Sequence, residues 1–300
     1  MKILLTGSSG RIGRAIFGAL AGAHEVIGLD RTVFSTTHIV EDCGNSGAIK
    51  PALEGVDAVI HTAGPHAPHV DLVPDREFER INIEATHDLY QSAREAGVRR
   101  FVYTSTTALY GDAIAPGACT WIDEDTPPQP RTIYHRTKLA AEVMLEEMAC
   151  EALPVRVLRM SRCFPEAADL MALYRLHRAI DARDVGTGHA LALTHDGPVD
   201  QVPFDRFILS GATPFLPEDV EALANDPRSV LALRAPEILA AMDARGWPVP
   251  PKIDRVYSSA KAKAQLGWAP RWDWREVMAQ VDRDDLEVLP VNAATIKRSE

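Results

Sequence analysis

The residues that most restrict what this chain can fold into lie between Lys2 and Asp30. An apolar run, Lys2–Leu5, meets the turn Thr6-Gly7-Ser-Ser-Gly10-Arg-Ile-Gly13. Apolar residues then recur at helical spacing to Leu20, and a second apolar run, Glu25–Leu29, ends in Asp30. Strand, glycine turn, helix and strand in that order make a βαβ unit. Gly7 lets the chain turn sharply off the strand, Gly10 removes a Cβ where a ligand must approach the backbone, and Gly13 lets the helix pack on the sheet. The helix N-terminus, with Ser9, Arg11 and Ile12 between the glycines, offers N–H groups and a positive dipole end to phosphates. The pattern predicts a site for a dinucleotide. Asp30 can accept hydrogen bonds from the adenosine ribose hydroxyls and would repel a 2′-phosphate, which favours NAD over NADP. Arg31 could hold such a phosphate and pulls the other way. The bland alternatives are a structural turn, a strand-end Asp and a solvated Arg.

The alternation continues. Ala58–His61, Phe101–Thr104 and Pro154–Arg159 read as buried strands, and Ile49–Leu53, Glu77–Ala96 and residues 134–150 as helices. Strands alternating with helices imply right-handed crossovers and a parallel sheet covered on both faces. The expected fold is α/β, a Rossmann-type doubly wound parallel sheet over residues 1–164. A smaller, mostly helical substrate lobe is expected over 165–300, with Phe204–Leu209 returning as a strand to the sheet. The charged tail from Asp282 reads as loosely ordered. At 300 residues and 46% hydrophobic content the chain can fill both cores.

A formal net charge of −10 disfavours nucleic acid as a partner and does nothing to attract an anionic membrane. No apolar run approaches the ~20 residues of a membrane span. Cys43, Cys119, Cys150 and Cys163 are scattered, as free thiols in a reducing compartment are, and Met1 runs straight into the first strand. A cytoplasmic protein is expected. His66, His69 and Asp71 share a Pro-rich loop but lack the number and spacing of ligands for a metal site, so none is expected. Substrate contact by His66 and a plain surface loop both stay open.

The chemistry concentrates at Thr104-Ser-Thr-Thr-Ala-Leu-Tyr-Gly111, after a strand, and at Tyr134-His-Arg-Thr-Lys138, opening a helix. A Tyr and a Lys at i and i+4 share one helix face. A free tyrosine titrates near ~10. A neighbouring ammonium and a positively charged nicotinamide would stabilise the phenolate and fit Tyr134 for acid–base work.

With these pieces the chain resembles the extended short-chain dehydrogenase/reductase family, in its NAD-dependent epimerase/dehydratase branch. The matching residues are the glycine turn, Asp30, Asp42, His61-Thr-Ala-Gly64, Asn82, Thr104–Gly111, Tyr134–Lys138 and Leu158-Arg159, with Arg183-Asp184-Val185 and Leu266-Gly-Trp268 further on. The resemblance implies Tyr134 as acid–base group, Lys138 holding the nicotinamide ribose, and Thr106 bonding the reacting substrate oxygen, with Ser105 as rival. It places Asp42 at the adenine and Ala63, Gly64 and Thr104 along the cofactor, and gives Asn82 the ordering of local backbone. It also implies a homodimer through a four-helix contact. Three departures stand out. Arg159-Met-Ser-Arg162 replaces the family's Arg-x-x-Asn. Only residues 167–180 separate Pro165-Glu166 from Arg183, where nucleotide-sugar enzymes carry a longer insertion. Cys163-Phe-Pro-Glu166 is similar to the uronate dehydrogenase subgroup. Arg162 is therefore expected either to bind an anionic substrate group or to pair internally with Glu166 or Asp184.

The expected activity is a redox-neutral epimerase or dehydratase on a sugar or sugar nucleotide, with NAD reduced and reoxidised within a turnover. The alternatives are a net dehydrogenase or reductase of a compact polyol, aldose or sugar acid, and a non-catalytic NAD sensor. Retention of Tyr134, Lys138 and Thr106 together speaks against the sensor.

Overall fold

The structure is a computed structural model that describes residues 1–195, 203–291 and 293. Its strands are β1 (Lys2–Thr6), β2 (Glu25–Asp30), β3 (Ile39–Val40), β4 (Ala58–His61), β5 (Arg100–Thr106), β6 (Thr120–Ile122), β7 (Val155–Met160), β8 (Phe204–Leu209) and β9 (Arg255–Tyr257). Seven form one sheet in the order β3-β2-β1-β4-β5-β7-β8, every pairing parallel. The order reverses at β1 and β4. Chains leaving these two strands run to opposite sides, so a crevice opens at their C-terminal ends.

Helices α1 (Arg11–Leu20), α2 (Ser46–Ala52), α3 (Asp75–Glu79), α4 (Ala85–Glu95), α5 (Ile133–Met148) and α7 (Ala182–Ala192) belong to or border the sheet, whereas α6 (Ala168–Tyr174) buries its apolar side chains in the core of the lobe. Alternation along each strand splits its side chains between two cores. Leu4, Val59, Phe101, Tyr103, Val155 and Val157 face Ile49, Leu89, Tyr90 and Leu145 on one side. Ile3, Leu5, Ile60, Val102 and Leu158 face Ile16, Leu20 and Val185 on the other. The single helix expected over Glu77–Ala96 is interrupted by a π-helical turn, Arg80–Glu84, which carries Asn82.

The later chain contributes α8 (Val220–Asn225), α9 (Pro227–Arg234), α10 (Pro236–Ala244), α11 (Ala260–Leu266) and α12 (Trp274–Asp282). A third core, with Met171, Phe215, Leu231, Trp247 and Val277, fills this lobe. The lobe is not purely helical, because β6 and β9 pair in parallel as a second, two-stranded sheet. Two pieces from beyond residue 164 rejoin the first body: β8 pairs with β7, and α7 packs along α1. The tail is docked further than its charge suggests. Val288 is buried and the Leu289 carbonyl accepts from the Ala168 amide at 3.0 Å. Residues 292 and 294–300 of that tail lie outside the described residues. Among the described residues, no helix is long and apolar enough to cross a membrane.

The α1–α7 contact rests on a missing side chain. A Cβ at Gly186 would stand 2.6 Å from the Ala15 carbonyl oxygen, whereas one at Gly18 meets nothing within 4 Å. Gly186→Ala should therefore destabilise by about 1–3 kcal/mol, the usual range for overpacking. Gly18→Ala, in the same helix α1, should stabilise by roughly 0.5–1 kcal/mol through propensity. Urea denaturation of the two variants checks this, and equal midpoints would contradict it.

Candidate active site

The crevice at the ends of β1 and β4 is a cleft of about 950 Å³. Its floor begins at the glycine turn. Gly7 has φ +74° and a Cβ there would lie 2.6 Å from the Ala63 amide nitrogen, while a Cβ on Gly13 would sit 2.0 Å from the Gly7 carbonyl oxygen. Both glycines are demanded by the protein's own packing. Gly10 is different: its Cβ would meet only the Gly7 oxygen, at an ordinary 3.4 Å. The space it leaves belongs to the cleft, as a glycine reserved for a ligand would have it. No side chain caps α1 at Gly10, so the first-turn amides are left for whatever occupies the cleft.

Asp30 is held at the end of β2 by the amides of Ser9 and Thr32, each at 3.0 Å. Arg31 lies near two carboxylates, Asp42 at 3.8 Å and Glu77 at 3.5 Å, and Arg80 binds the same two at 2.9 and 2.7 Å. Asp42, expected at the adenine, has its carboxylate taken by Arg80 and by the Gly44 amide at 2.7 Å. Its neighbours Glu41 and Cys43 line the cleft in its place. Arg11 lines the cleft and pairs with Glu287 of the tail. Ser9, Ile12, Ala63, Gly64 and Thr104 also line it.

The catalytic candidates converge from β5 and α5. Thr132 caps α5, accepting from the His135 amide at 3.4 Å, and places Tyr134 and Lys138 in the first turns. The Thr106 hydroxyl accepts from the Ala108 amide at 3.1 Å, and Thr106 and Tyr134 both line the cleft. Ser105, the rival, also lines the cleft, but its hydroxyl is already given to Glu142 inside the protein. Glu142 also takes Nε and Nη2 of Arg159, and Arg159 Nη1 donates to the Tyr110 hydroxyl at 2.7 Å. Thr104 donates to His189 Nε2 at 2.7 Å, since Nδ1–H of that ring is given to the Val185 carbonyl. Thr104 therefore lines the cleft with its hydroxyl already engaged.

Burial raises the Tyr134 phenol to about 12, opposed by the nearby Thr106 hydroxyl. Burial pulls the Lys138 ammonium down to about 7, opposed by the charge of Glu142. Its Nζ lies 4.0 Å from the centre of the Tyr103 ring, a cation–π contact. Unliganded, the pair is thus a neutral phenol beside an ammonium close to its titration point. A positive charge brought near Tyr134 would favour the phenolate.

Asn82 donates to the Pro65 carbonyl at 3.2 Å and to Thr137 at 3.0 Å, ordering the backbone as expected. Its buried Oδ1, and Ser161 Oγ, have no hydrogen-bond partner, and both residues line the cleft. Orphaned polar atoms on a ligand-sized wall fit a polar occupant. His66 stacks on Phe164 with ring centres 6.0 Å apart, and burial lowers it to about 4, so it is neutral. Arg162 lines the cleft, lies over Phe164 and pairs through Nε with Glu166. Asp184, the other partner considered, instead accepts the amides of Arg271 and Trp272. The sequence reading missed Arg131, Arg178, Arg255 and Tyr257 on the same wall. Among the described residues, no group of His, Cys, Asp and Glu could hold a metal ion.

Residues 3–197 match the model of the NAD dependent epimerase/dehydratase family, and the chain belongs to that family. An NAD-dependent glucose-6-phosphate dehydrogenase of Haloferax volcanii is 31% identical over 161 residues, covering 47% of this chain and 60% of that protein. A UDP-glucose 4-epimerase of Schizosaccharomyces pombe is 29% identical over 163 residues, 48% of this chain and 46% of that protein. The chain thus matches only about half the length of these relatives. A crystal structure of a short-chain dehydrogenase/reductase superfamily protein from Agrobacterium tumefaciens with bound NAD superposes with a TM-score of 0.69 at 22% identity. It covers 94% of this chain and 96% of the other, a likeness of fold.

Two outcomes follow from the charges. Lys138 titrates near 7 when folded against 10.5 ordinarily, so between those values the unfolded state holds more protons and stability rises with pH. Below that window the folded state bears the whole burden of a buried ammonium. Lys138→Met should raise the Tm of the unliganded protein, by more at about pH 6 than at about pH 9. A lower Tm at both would contradict this. With Arg31 set between Asp42 and Glu77, NAD should bind at least about tenfold tighter than NADP, roughly 1.4 kcal/mol. Calorimetric titration of both decides, and equal affinity would mean that Arg31 leaves its carboxylates for the phosphate.

Proposed function

We propose that this chain is an NAD-dependent dehydrogenase of a compact sugar, converting one carbinol carbon to a carbonyl. The observation that carries this reading is the joint placement of Thr106, Tyr134 and Lys138 in a cleft of about 950 Å³. Pockets for single drug-sized ligands occupy about 300–1,000 Å³, so a cleft that also holds a dinucleotide leaves room for a sugar rather than a second nucleotide. The short segment between Pro165 and Arg183, occupied by α6 and one turn, agrees with that.

The glycine turn, the first-turn amides of α1 that no side chain caps, and Asp30 provide the polar surface a dinucleotide needs. When bound, NAD supplies the acceptor for the hydride leaving the carbinol carbon. Tyr134 Oη, as phenolate, takes the hydroxyl proton of that carbon as the C=O bond forms. Thr106 holds the same oxygen. Lys138, buried and without a carboxylate of its own, lends its charge to the phenolate.

A second reading is the redox-neutral epimerase or dehydratase. Family membership favours it, and the same Tyr134 would return the proton it took. Cofactor stoichiometry separates the two. Incubated with NAD and a panel of aldoses, sugar acids and sugar phosphates, the protein should form NADH in proportion to product. Tyr134→Phe should cut kcat by about 10²–10⁴-fold while leaving NAD affinity within a few-fold. Sugar isomers or dehydrated products without net NADH would replace this reading with the second. Full turnover by Tyr134→Phe would remove both.

A further inference from the structure

Arg11 is the first residue of α1 and lines the cleft beside Gly10, yet its side chain is engaged elsewhere. Nη2 pairs with the carboxylate of Glu287, a residue of the tail that does not line the cleft. Nε is buried and has no hydrogen-bond partner. A cation at the phosphate end of the cleft is thus held by an anion from beyond α12, and is only in part satisfied by it.

The tail is shaped to deliver that carboxylate. It leaves α12 through Arg283, whose Nη2 donates to Glu276 at 2.9 Å and to Asp285 at 3.0 Å. Asp285 Oδ1 accepts the Glu287 amide at 3.0 Å, and the Asp285 carbonyl accepts the Val288 amide at 3.2 Å. This turn leaves Leu286 exposed and puts Val288 into the core of the lobe. Leu289 closes the strap: its amide donates to the Glu166 carbonyl at 2.9 Å, and its carbonyl accepts the Ala168 amide at 3.0 Å. Glu287 is therefore set between two anchored points and reaches from the lobe to the head of α1.

The pair itself is weak. The Arg11 and Glu287 side chains are 24% and 47% exposed, and a partly solvated ion pair contributes about 1 kcal/mol or less. A pyrophosphate arriving at Gly10 offers Arg11 more, because its anionic oxygens match the guanidinium fork and the end of α1 already favours negative charge. The same pyrophosphate is repelled by the Glu287 carboxylate. Both effects push the same way.

We infer that Arg11 is a phosphate ligand for the cofactor held in reserve by Glu287, and that NAD takes Arg11 from the tail when it binds. Such coupling is reciprocal: the factor by which the Arg11–Glu287 pair weakens the cofactor is the factor by which the bound cofactor weakens the tail's attachment. The strap over residues 285–289 is then looser in the loaded protein. Because Leu289 bonds the Glu166–Ala168 segment, cofactor occupancy is felt at the wall that carries Arg162.

The test needs NAD alone and no sugar, so it stands apart from the reading of the reaction. By calorimetry, Glu287→Gln should bind NAD about three- to fivefold tighter than wild type, the range that an exposed pair of this kind allows. Arg11→Gln should bind NAD more weakly, and adding Glu287→Gln to it should bring no such gain. Glu237→Gln, which removes a carboxylate paired with Arg275 on the lobe surface, should leave the affinity unchanged and so controls for net charge. In the wild-type protein NAD should speed hydrogen exchange of the Leu289 amide by a similar factor, and in Arg11→Gln it should not. Unchanged or weaker NAD binding by Glu287→Gln would overturn the inference. So would an equal gain in the Arg11→Gln background or from Glu237→Gln, or a Leu289 amide that NAD leaves alone or protects.

Discussion

The placement of Tyr134 and Lys138 depends on one buried ion pair. Arg159 of β7 and Glu142 of α5 meet with side chains 0% and 2% exposed. Burying two ions is expensive, and such a pair is tolerable only when its remaining polar atoms are satisfied. Here Ser105 and two guanidinium nitrogens fill the carboxylate, and the third nitrogen goes to Tyr110, whose own hydroxyl donates to the Asp123 carbonyl at 3.0 Å. Removing one partner of a pair like this costs about 3–5 kcal/mol. What it sets is rotation. Glu142 lies one turn beyond Lys138 and two beyond Tyr134 on one helix face. Fixing Glu142 to β7 therefore aims both at the end of β5.

The same pairing explains the state of Lys138. Because Arg159 neutralises Glu142, only a residual attraction reaches the ammonium, and its nearest support is the face of Tyr103. A direct salt bridge would stabilise Lys138 but cancel the charge that the proposed Tyr134 phenolate would draw on. The protein instead holds an ammonium near its titration point in a buried place. Departures from the rule that buried charges are paired tend to mark functional sites. The Glu142–Arg159 pair, by contrast, obeys the rule and is architecture.

What could be read in the sequence follows the range of the interactions. The glycine turn is legible because its demands are local: Gly7 and Gly13 answer to backbone within the same βαβ unit or its neighbouring strand. The strands are legible because a parallel sheet covered on both faces forces apolar runs. Thr106 and Ser105 are not separable by sequence, since the choice depends on which side of β5 meets Glu142. Arg162 stays ambivalent for a similar reason: the pair with Glu166 and the place on the cleft wall hold together. The Asp42 carboxylate goes to Arg80, a partner that only the path of α3 and its π-turn brings near. β6 and β9 span three residues each and pair across the whole substrate lobe, too short for any periodic signal. Arg178 and Arg255 escaped notice because nothing in their own neighbourhoods marks them. Only long-range backbone bonds make them neighbours.

The substrate lobe is also not free to move independently of the cofactor turn. α7, reached only after α6, lies along α1 with Gly186 against the Ala15 carbonyl. Asp184 in α7 receives the Arg271 and Trp272 amides at 2.8 and 3.1 Å, tying in the segment that leads to α12. The tail beyond α12 then reaches back, and Glu287 pairs with Arg11 at the head of α1. Two attachments from one lobe, the first of them itself tied in through Asp184, thus converge on the helix whose N-terminus opens on the cleft. A shift of α1 on cofactor binding would have to be shared by the lobe that bears Arg178 and Arg255. Because packed interiors transmit displacement rather than absorb it, the two halves of the cleft are mechanically one body.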